Sequence, residues 1–320
     1  MDLETLMGRL SGAPGRSDSL LHLEVMPPRE AQQSTWPEWV GSPVRQGFER
    51  IGVPAPWTHQ RAAADLAHSG QHTVVSTGTS SGKSLCYLLP GLEAIESSRG
   101  PKGQRGASVL YLAPTKALAQ DQLAALRRLE LPGLRCSTHD GDSTQEMREW
   151  ARDHAEYVLT NPDMLHHSLL PGHARWSRFF GSLRYVVIDE CHHYRGVFGA
   201  HVAQIIRRLR RVAALYGAHP TFVLASATVA EPEVSAGRLT GLDVVAVTED
   251  GSPRGRTALA LWEPPFVPGR GENGAPVRRS ATSEVADLLT DLVVDRVRTL
   301  AFVRSRRGAE TVALTARRLL

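Results

Sequence analysis

The run Thr77-Gly78-Thr79-Ser80-Ser81-Gly82-Lys83-Ser84 offers what a phosphate group needs. The N–H groups of a glycine- and serine-rich turn, together with the positive end of a following helix, face phosphate oxygens. A lysine at this spacing reaches the β and γ phosphates, and the Ser84 hydroxyl can hold magnesium. The first position of the G-x-x-x-x-G-K-[ST] pattern is Thr77 instead of glycine. Further along, Asp189-Glu190-Cys191-His192 follows the apolar run RYVVI. Two adjacent carboxylates suit hydrolysis of a magnesium nucleotide, Asp189 toward the metal and Glu190 toward the attacking water. Ser226-Ala227-Thr228 follows TFVLA and supplies two hydroxyls that can bond a neighbour such as His192. Each motif alone has a plainer reading, as a turn that caps a helix, a solvated acidic pair or a helix cap. Their order, each just past a strand-like run, favours the chemical one.

Such turns must be held at the ends of something rigid. From residue 51 onward short β-branched runs alternate with helical patterns: HTVVST, SLCYLLPGLEAI, ASVLYLAP, TKALAQDQLAALRRL, then GLRCSTHD, YVLTN, RYVVIDE, TFVLASAT and DVVAVTED, with helices over Ser143–Ala155 and His201–Tyr216. The alternation predicts an α/β fold with a parallel sheet, and open parallel sheets bind ligands at the carboxyl ends of their strands, where all three motifs fall. Residues 1–50, with Pro27, Pro28, Pro37 and Pro43, read as an ordered N-terminal extension whose Trp36 and Trp39, like Trp57 beyond it, pack onto a neighbour. Residues 51–263 read as the nucleotide-binding domain and the proline- and glycine-rich residues 264–280 as a linker. Residues 281–320 read as helix, strand (RTLAFV) and helix, the start of a second α/β unit too short to bury its own core.

In this order the motifs resemble the superfamily 2 DEAD/DEAH-box helicases, over about residues 30–320. Trp57-Thr58-His59-Gln60 is similar to the family's upstream glutamine motif, which implies that Gln60 reads the adenine edge of ATP. Ala113-Pro114-Thr115-Lys116-Ala117-Leu118-Ala119-Gln120-Asp121-Gln122 resembles motif Ia, Thr138-His139-Asp140-Gly141-Asp142 motif Ic, and Thr160-Asn161-Pro162-Asp163-Met164 motif Ib. The resemblance implies a nucleic-acid track along Pro114, Thr115, Lys116, Asp140, Gly141, Thr160, Asn161 and Pro162. Phe302-Val303-Arg304-Ser305-Arg306 resembles motif IV, so the expected fold is a RecA-like P-loop NTPase lobe plus the beginning of a second RecA-like lobe.

The run from His193 to Ala203 is especially similar to the DNA-repair helicases of the RecQ-like and mitomycin-repair type, which carry a C-terminal four-cysteine zinc-binding region and unwind 3′ to 5′. This implies an ATP- and Mg2+-dependent DNA helicase or translocase acting on single-stranded or forked DNA. Lys83, Asp189, Glu190 and His192 would be catalytic, and Ser226 and Thr228 would couple hydrolysis to strand movement. Two departures stand out: Cys191 replaces a more usual aliphatic residue or alanine, and the second lobe's arginine-finger motifs and the zinc region do not occur in the 320 residues. The chain alone is therefore expected to bind ATP but hydrolyse it slowly. An RNA helicase and a non-hydrolysing binding module remain open.

The composition, 42% hydrophobic and 22% charged, excludes a wholly disordered, collagen-like or coiled-coil chain. No apolar run approaches the ~18–20 residues of a membrane span, and Asp2 and Glu4 sit where a signal peptide is positive, so a cytoplasmic protein is expected. Cys86, Cys136 and Cys191 are widely spaced, which argues against a disulfide framework or a cysteine zinc site. A net charge of +4 permits a polyanionic partner. Only Lys83, Lys102 and Lys116 are lysines among 37 Lys and Arg residues, and two of them lie in the motifs above. The arginine run Arg207, Arg208, Arg210 and Arg211 reads as a solvated helix face, and the pairs His166-His167 and His192-His193 lack metal-site spacing.

Overall fold

The computed structural model describes residues 3–100, 106–270 and 274–320. In chain order the elements begin with α1 (Leu3–Gly12), β1 (Leu20–Met26), α2 (Ser42–Arg50), α3 (Thr58–His68), β2 (Thr73–Ser76), α4 (Ser84–Ser98), β3 (Ser108–Leu112) and α5 (Lys116–Arg128). They continue with β4 (Cys136–Thr138), α6 (Gln145–His154), β5 (Tyr157–Thr160), α7 (Pro162–Met164), α8 (Ser177–Gly181), β6 (Leu183–Ile188), α9 (Gly196–Leu215), β7 (Thr221–Ser226), α10 (Pro232–Thr240) and β8 (Val245–Val247). The last are β9 (Thr257–Trp262), β10 (Phe266–Arg270), β11 (Pro276–Arg278), α11 (Ala281–Val294) and α12 (Arg306–Leu319). Among the described residues no helix is long and apolar enough to cross a membrane.

Two compact units form: Glu30–Pro253, and Met1–Arg29 together with Arg254–Leu320. The first is a seven-stranded parallel sheet in the order β4-β5-β3-β6-β7-β2-β8 with helices on both faces. The strands are short and apolar because both faces are covered. Alternate side chains divide the core: Leu110, Val186, Ile188 and Leu224 pack under α9 and α10, while Val109, Tyr111, Val187 and Val223 pack under α2, α4 and α5. Arg207 and Arg210 are more than a solvated face, since they donate to the carbonyls of Arg238, Thr240 and Gly241 and so cap the end of α10.

The sheet divides the chain elsewhere than at residues 50 and 263. Glu30–Arg50 folds with the parallel sheet, where Trp39 stacks on His68 at 4.1 Å between ring centroids and donates to Asp65. β9 leaves that sheet and pairs antiparallel with β1, Leu23 opposite Ala260, because each strand satisfies the other's backbone groups. The stretch expected as a linker holds the β10–β11 hairpin, with Val267 opposite Val277; residues 271–273 lie outside the described residues. Arg298–Val303 forms no strand: Leu300 and Phe302 are 84% and 87% exposed, and none of the described strands pairs with this segment.

Candidate functional site

β6, β7 and β2 are neighbours in the sheet, with Ile188 opposite Leu224 and Ser76 opposite Ser226. The three motif-bearing turns therefore emerge side by side at the carboxyl ends of adjacent strands.

After β2 the chain turns tightly. Ser81 Oγ donates to Gly78 O (2.8 Å), so the Thr77 hydroxyl, 2.6 Å away, donates to Ser81 and closes the loop, a task the usual glycine could not perform. Lys83 Nζ donates to the carbonyls of Gly78 (2.8 Å) and Thr77 (3.3 Å), which holds the ammonium over the loop. Gly82 sits at φ +62°, where a side chain is strained, and a Cβ there would lie 2.5 Å from Gln60 Nε2 and displace that amide from the loop. Thr79 and Ser80 form the exposed tip, and Ser84 opens α4.

Gln60 braces this loop: its Nε2 donates to Gly82 O (2.9 Å) and its Oε1 accepts from Trp57 N (2.8 Å). Beside it, His59 accepts from Gly251 N at Nδ1 (3.2 Å), which leaves Nε2–H to donate to Ser81 O (2.9 Å) and assigns the tautomer.

Past β6, Asp189 Oδ2 accepts from Tyr111 (2.6 Å) and Tyr87 (3.1 Å), and its Oδ1 accepts from Glu190 N (2.9 Å). Burial, with the Asp189 charge next, raises both phenols far above the ordinary tyrosine range, so they remain donors that orient the carboxylate. The Ser84 side chain meets the same Tyr87 hydroxyl, which brings the two candidate magnesium ligands to one phenol. Magnesium is held by one or two protein groups plus substrate phosphates, and a hydroxyl with an oriented carboxylate is such a donor set. Among the described residues there is no group of three or more His, Cys, Asp or Glu that could hold a metal ion on its own.

Glu190 turns the chain at φ +48° and places its Oε2 3.1 Å from His192 Nδ1. That nitrogen accepts from Ala227 N (3.3 Å) and so has no proton to donate to Glu190, and burial lowers the imidazole pKa against the opposing pull of Glu190. His192 is thus neutral at neutral pH, and its link to the third motif runs through the Ala227 backbone N–H instead of the expected hydroxyls. Ser226 Oγ is buried against the Cys191 thiol and makes no bond to His192, and Thr228 is exposed. Both line a cavity of about 780 Å³ beside His192. Burial pushes the Cys191 thiol up to about 12, so it packs as a small protonated hydrophobe.

The expected strand-contacting residues occupy a neighbouring part of the same sheet edge, past β3, β4 and β5. Thr115 caps α5 by accepting from Leu118 N, and Asn161 caps α7 by accepting from Met164 N. Pro114 precedes the first cap; Pro162 is buried at the first position of α7. The Thr160 hydroxyl is buried and spent on His139 O (2.6 Å), so it cannot hold a phosphate as expected. Asp140 is also internal, accepting from Asp142 N, Ser143 N and Ser143 Oγ. Gly141 and Lys116 are exposed, and Lys116 Nζ pairs with Asp142 (2.8 Å).

Four functional residues escaped the sequence reading. Tyr87, Tyr111 and His59 are described above. The fourth is Ser76, whose Oγ donates to Ala227 O (3.0 Å) and accepts from Val229 N (3.2 Å), tying the strand beneath the phosphate loop to the third motif. Its place immediately before Thr77 was the only available signal.

The DEAD/DEAH box helicase family matches residues 57–236. The uncharacterized ATP-dependent helicase YprA of Bacillus subtilis is 38% identical over 299 residues, 92% of this chain and 39% of that protein. The ATP-dependent helicase HRQ1 of Saccharomyces cerevisiae is 34% identical over 322 residues, 98% of this chain and 29% of that protein. The crystal structure of the DUF1998 helicase MrfA bound to DNA and AMPPNP superposes with a TM-score of 0.90 at 37% identity, covering 100% of this chain and 43% of that one. The chain thus spans less than half the length of each.

Proposed function

The chain belongs to the DEAD/DEAH box helicase family, and from that premise we propose that it is the ATP-binding part of an ATP-dependent DNA helicase or translocase acting in DNA repair in the cytoplasm. The observation that carries the reading is the convergence of Lys83, the Asp189–Glu190 pair and the Ser226–Thr228 turn at three adjacent strand ends. In this reading Lys83 exchanges its loop carbonyls for β and γ phosphate oxygens, and the turn's N–H groups hold the remainder. Ser84 and Asp189 would hold Mg2+, which would neutralise charge on the phosphates, and the tyrosine donors orient the Asp189 carboxylate. Glu190 orients the attacking water, while neutral His192 accepts from the Ala227 backbone N–H and so links the turn after β6 to the third motif. Gln60 supports the loop and, in this reading, would exchange its bonds to Gly82 and Trp57 for the adenine edge. Lys116, Gly141 and the N-terminal N–H groups of α5 hold strand phosphates without reading bases.

MrfA was crystallised with DNA, and DNA is the substrate proposed here. Fluorescence anisotropy with single-stranded and forked DNA, set against RNA of the same sequence, tests this through the 2′-hydroxyl. Sequence-tolerant, salt-sensitive DNA binding is expected, with ATP hydrolysis stimulated by the strand. Tighter RNA binding would favour an RNA helicase, and a chain that binds ATP but never hydrolyses it would be a binding module.

A further inference from the structure

Beside the turn that follows β4 lies a pocket of about 290 Å³ to which no role has been given. One face of α6 lines it: Gln145, Arg148, Glu149 and Arg152 recur at the helical spacing. Arg175 also lines it, with His139 packed edge-on against Trp176. Three guanidinium groups therefore converge here against one lining carboxylate. Arg152 is paired with Asp153, but no described carboxylate pairs with Arg148 or Arg175. His139 is 2% exposed; its Nε2 meets Ser168 Oγ at 2.9 Å and its Nδ1 is buried without a partner, as is Arg148 Nε. Burial, aided by Arg148, lowers the His139 pKa to about 4, so at neutral pH the ring is a neutral group with one unused position.

We propose that this pocket binds a phosphate group, and specifically a phosphodiester of the strand that crosses the Asp140–Asp142 turn. Arg148 Nη2 donates to the carbonyls of Asp140 and Gly141, both at 3.2 Å, and Lys116 pairs with Asp142. Lys116 and Arg148 thus grip the same short turn, and a backbone lying over it meets both cations. Planar guanidinium forks match phosphate oxygens, and fixing Arg148 by two carbonyls reduces the ordering cost on binding. The proposal rests on the strand-binding reading above, which the experiment separates from it.

Binding of a labelled single-stranded DNA oligonucleotide by the whole chain is measured across a range of salt concentrations. Exposed Arg175 is changed by Arg175→Glu, and the likewise exposed Arg184 by Arg184→Glu to register the general effect of charge reversal. Arg175→Glu should weaken binding about tenfold and make the log–log salt slope shallower by about 0.7, while Arg184→Glu changes neither appreciably. Equal behaviour of the two variants, with binding still lost in Lys116→Ala, would overturn the pocket and keep the strand reading. If the unaltered chain binds no oligonucleotide, the strand reading fails, and 31P resonance broadening of inorganic phosphate decides the pocket. Broadening by the unaltered chain but not by Arg175→Glu supports a free-phosphate site, and identical spectra would overturn it.

Discussion

The two units hold themselves together by different physics. In Glu30–Pro253 nearly every strand residue of β2, β3, β5, β6 and β7 is buried, and two apolar layers carrying Phe179, Phe180, Tyr111 and Phe222 sandwich the sheet. The unit of Met1–Arg29 with Arg254–Leu320 buries few apolar side chains, among them Leu10, Ala286 and Val312. At its centre Arg16 reaches Glu284 (3.2 Å), Asp287 (3.7 Å) and Asp291 (2.5 Å), and Arg279 joins Glu284 and Asp287. Trp262 donates to the same Glu284, which is 1% exposed. The contrast teaches that the candidate nucleotide site lies in the unit stabilised by apolar burial, whereas the other depends on the mutual satisfaction of charges.

The largest effects should come from cutting each unit at its own support. Phe179→Ala should destabilise the parallel-sheet unit by about 3–5 kcal/mol through lost burial and a cavity. Arg16→Ala should cost the other unit a similar ~3–5 kcal/mol by leaving Glu284 and its neighbours undercompensated. Hydrogen exchange resolved by residue should show protection lost in β6 for the first and in α11 for the second. Loss in both places from either variant would erase the distinction.

Acid should act next, and on the parallel-sheet unit. The folded-state pKa of His139 lies near 4, below its ordinary value of 6.5. As pH falls from about 6.5 the unfolded chain takes up a proton that the folded one refuses, so stability declines until pH approaches about 4, by roughly 3 kcal/mol in total. Denaturant midpoints measured on the native chain and on His139→Gln should converge as pH falls through that window; parallel curves would show that His139 does not set the slope.

A smaller change is expected from Ser76→Ala, which removes one bond to Ala227 O and one from Val229 N, each worth about 1 kcal/mol. The Val229 amide should exchange faster while β7 stays protected. The smallest effect is that of salt. At ~1 M the screening length shrinks to about 3 Å, so the exposed Arg256–Glu4 pair should loosen by less than about 1 kcal/mol, read as faster exchange at β9, with the parallel sheet unaffected.

What was legible in the sequence follows the same division. Thr77–Ser84 and Asp189–His192 could be read because their chemistry depends on neighbours in the chain, and the β-branched runs RYVVI and TFVLA announce buried parallel strands. The tyrosines at Asp189 could not: Tyr87 and Tyr111 look like ordinary core residues until α4 and β3 bring them against one carboxylate. The third motif showed its place but not its contacts, since its bond to His192 uses the Ala227 backbone, to which composition is blind. The unit boundaries were hidden because β1 and β9 are distant in sequence and each alternates like a strand that could pair anywhere. Arg298–Val303 has strand-like residues, but a strand exists only beside another.

The central claim is that the turn after β2 is a nucleotide site organised around Lys83. Titration calorimetry of ATP with Mg2+ into the native chain and into Lys83→Ala tests it most directly. Removing a charge-assisted contact worth ~1.5–3 kcal/mol should weaken binding at least about tenfold, with hydrogen exchange of β2 and α4 unaltered. Equal affinity in the two proteins would contradict the assignment.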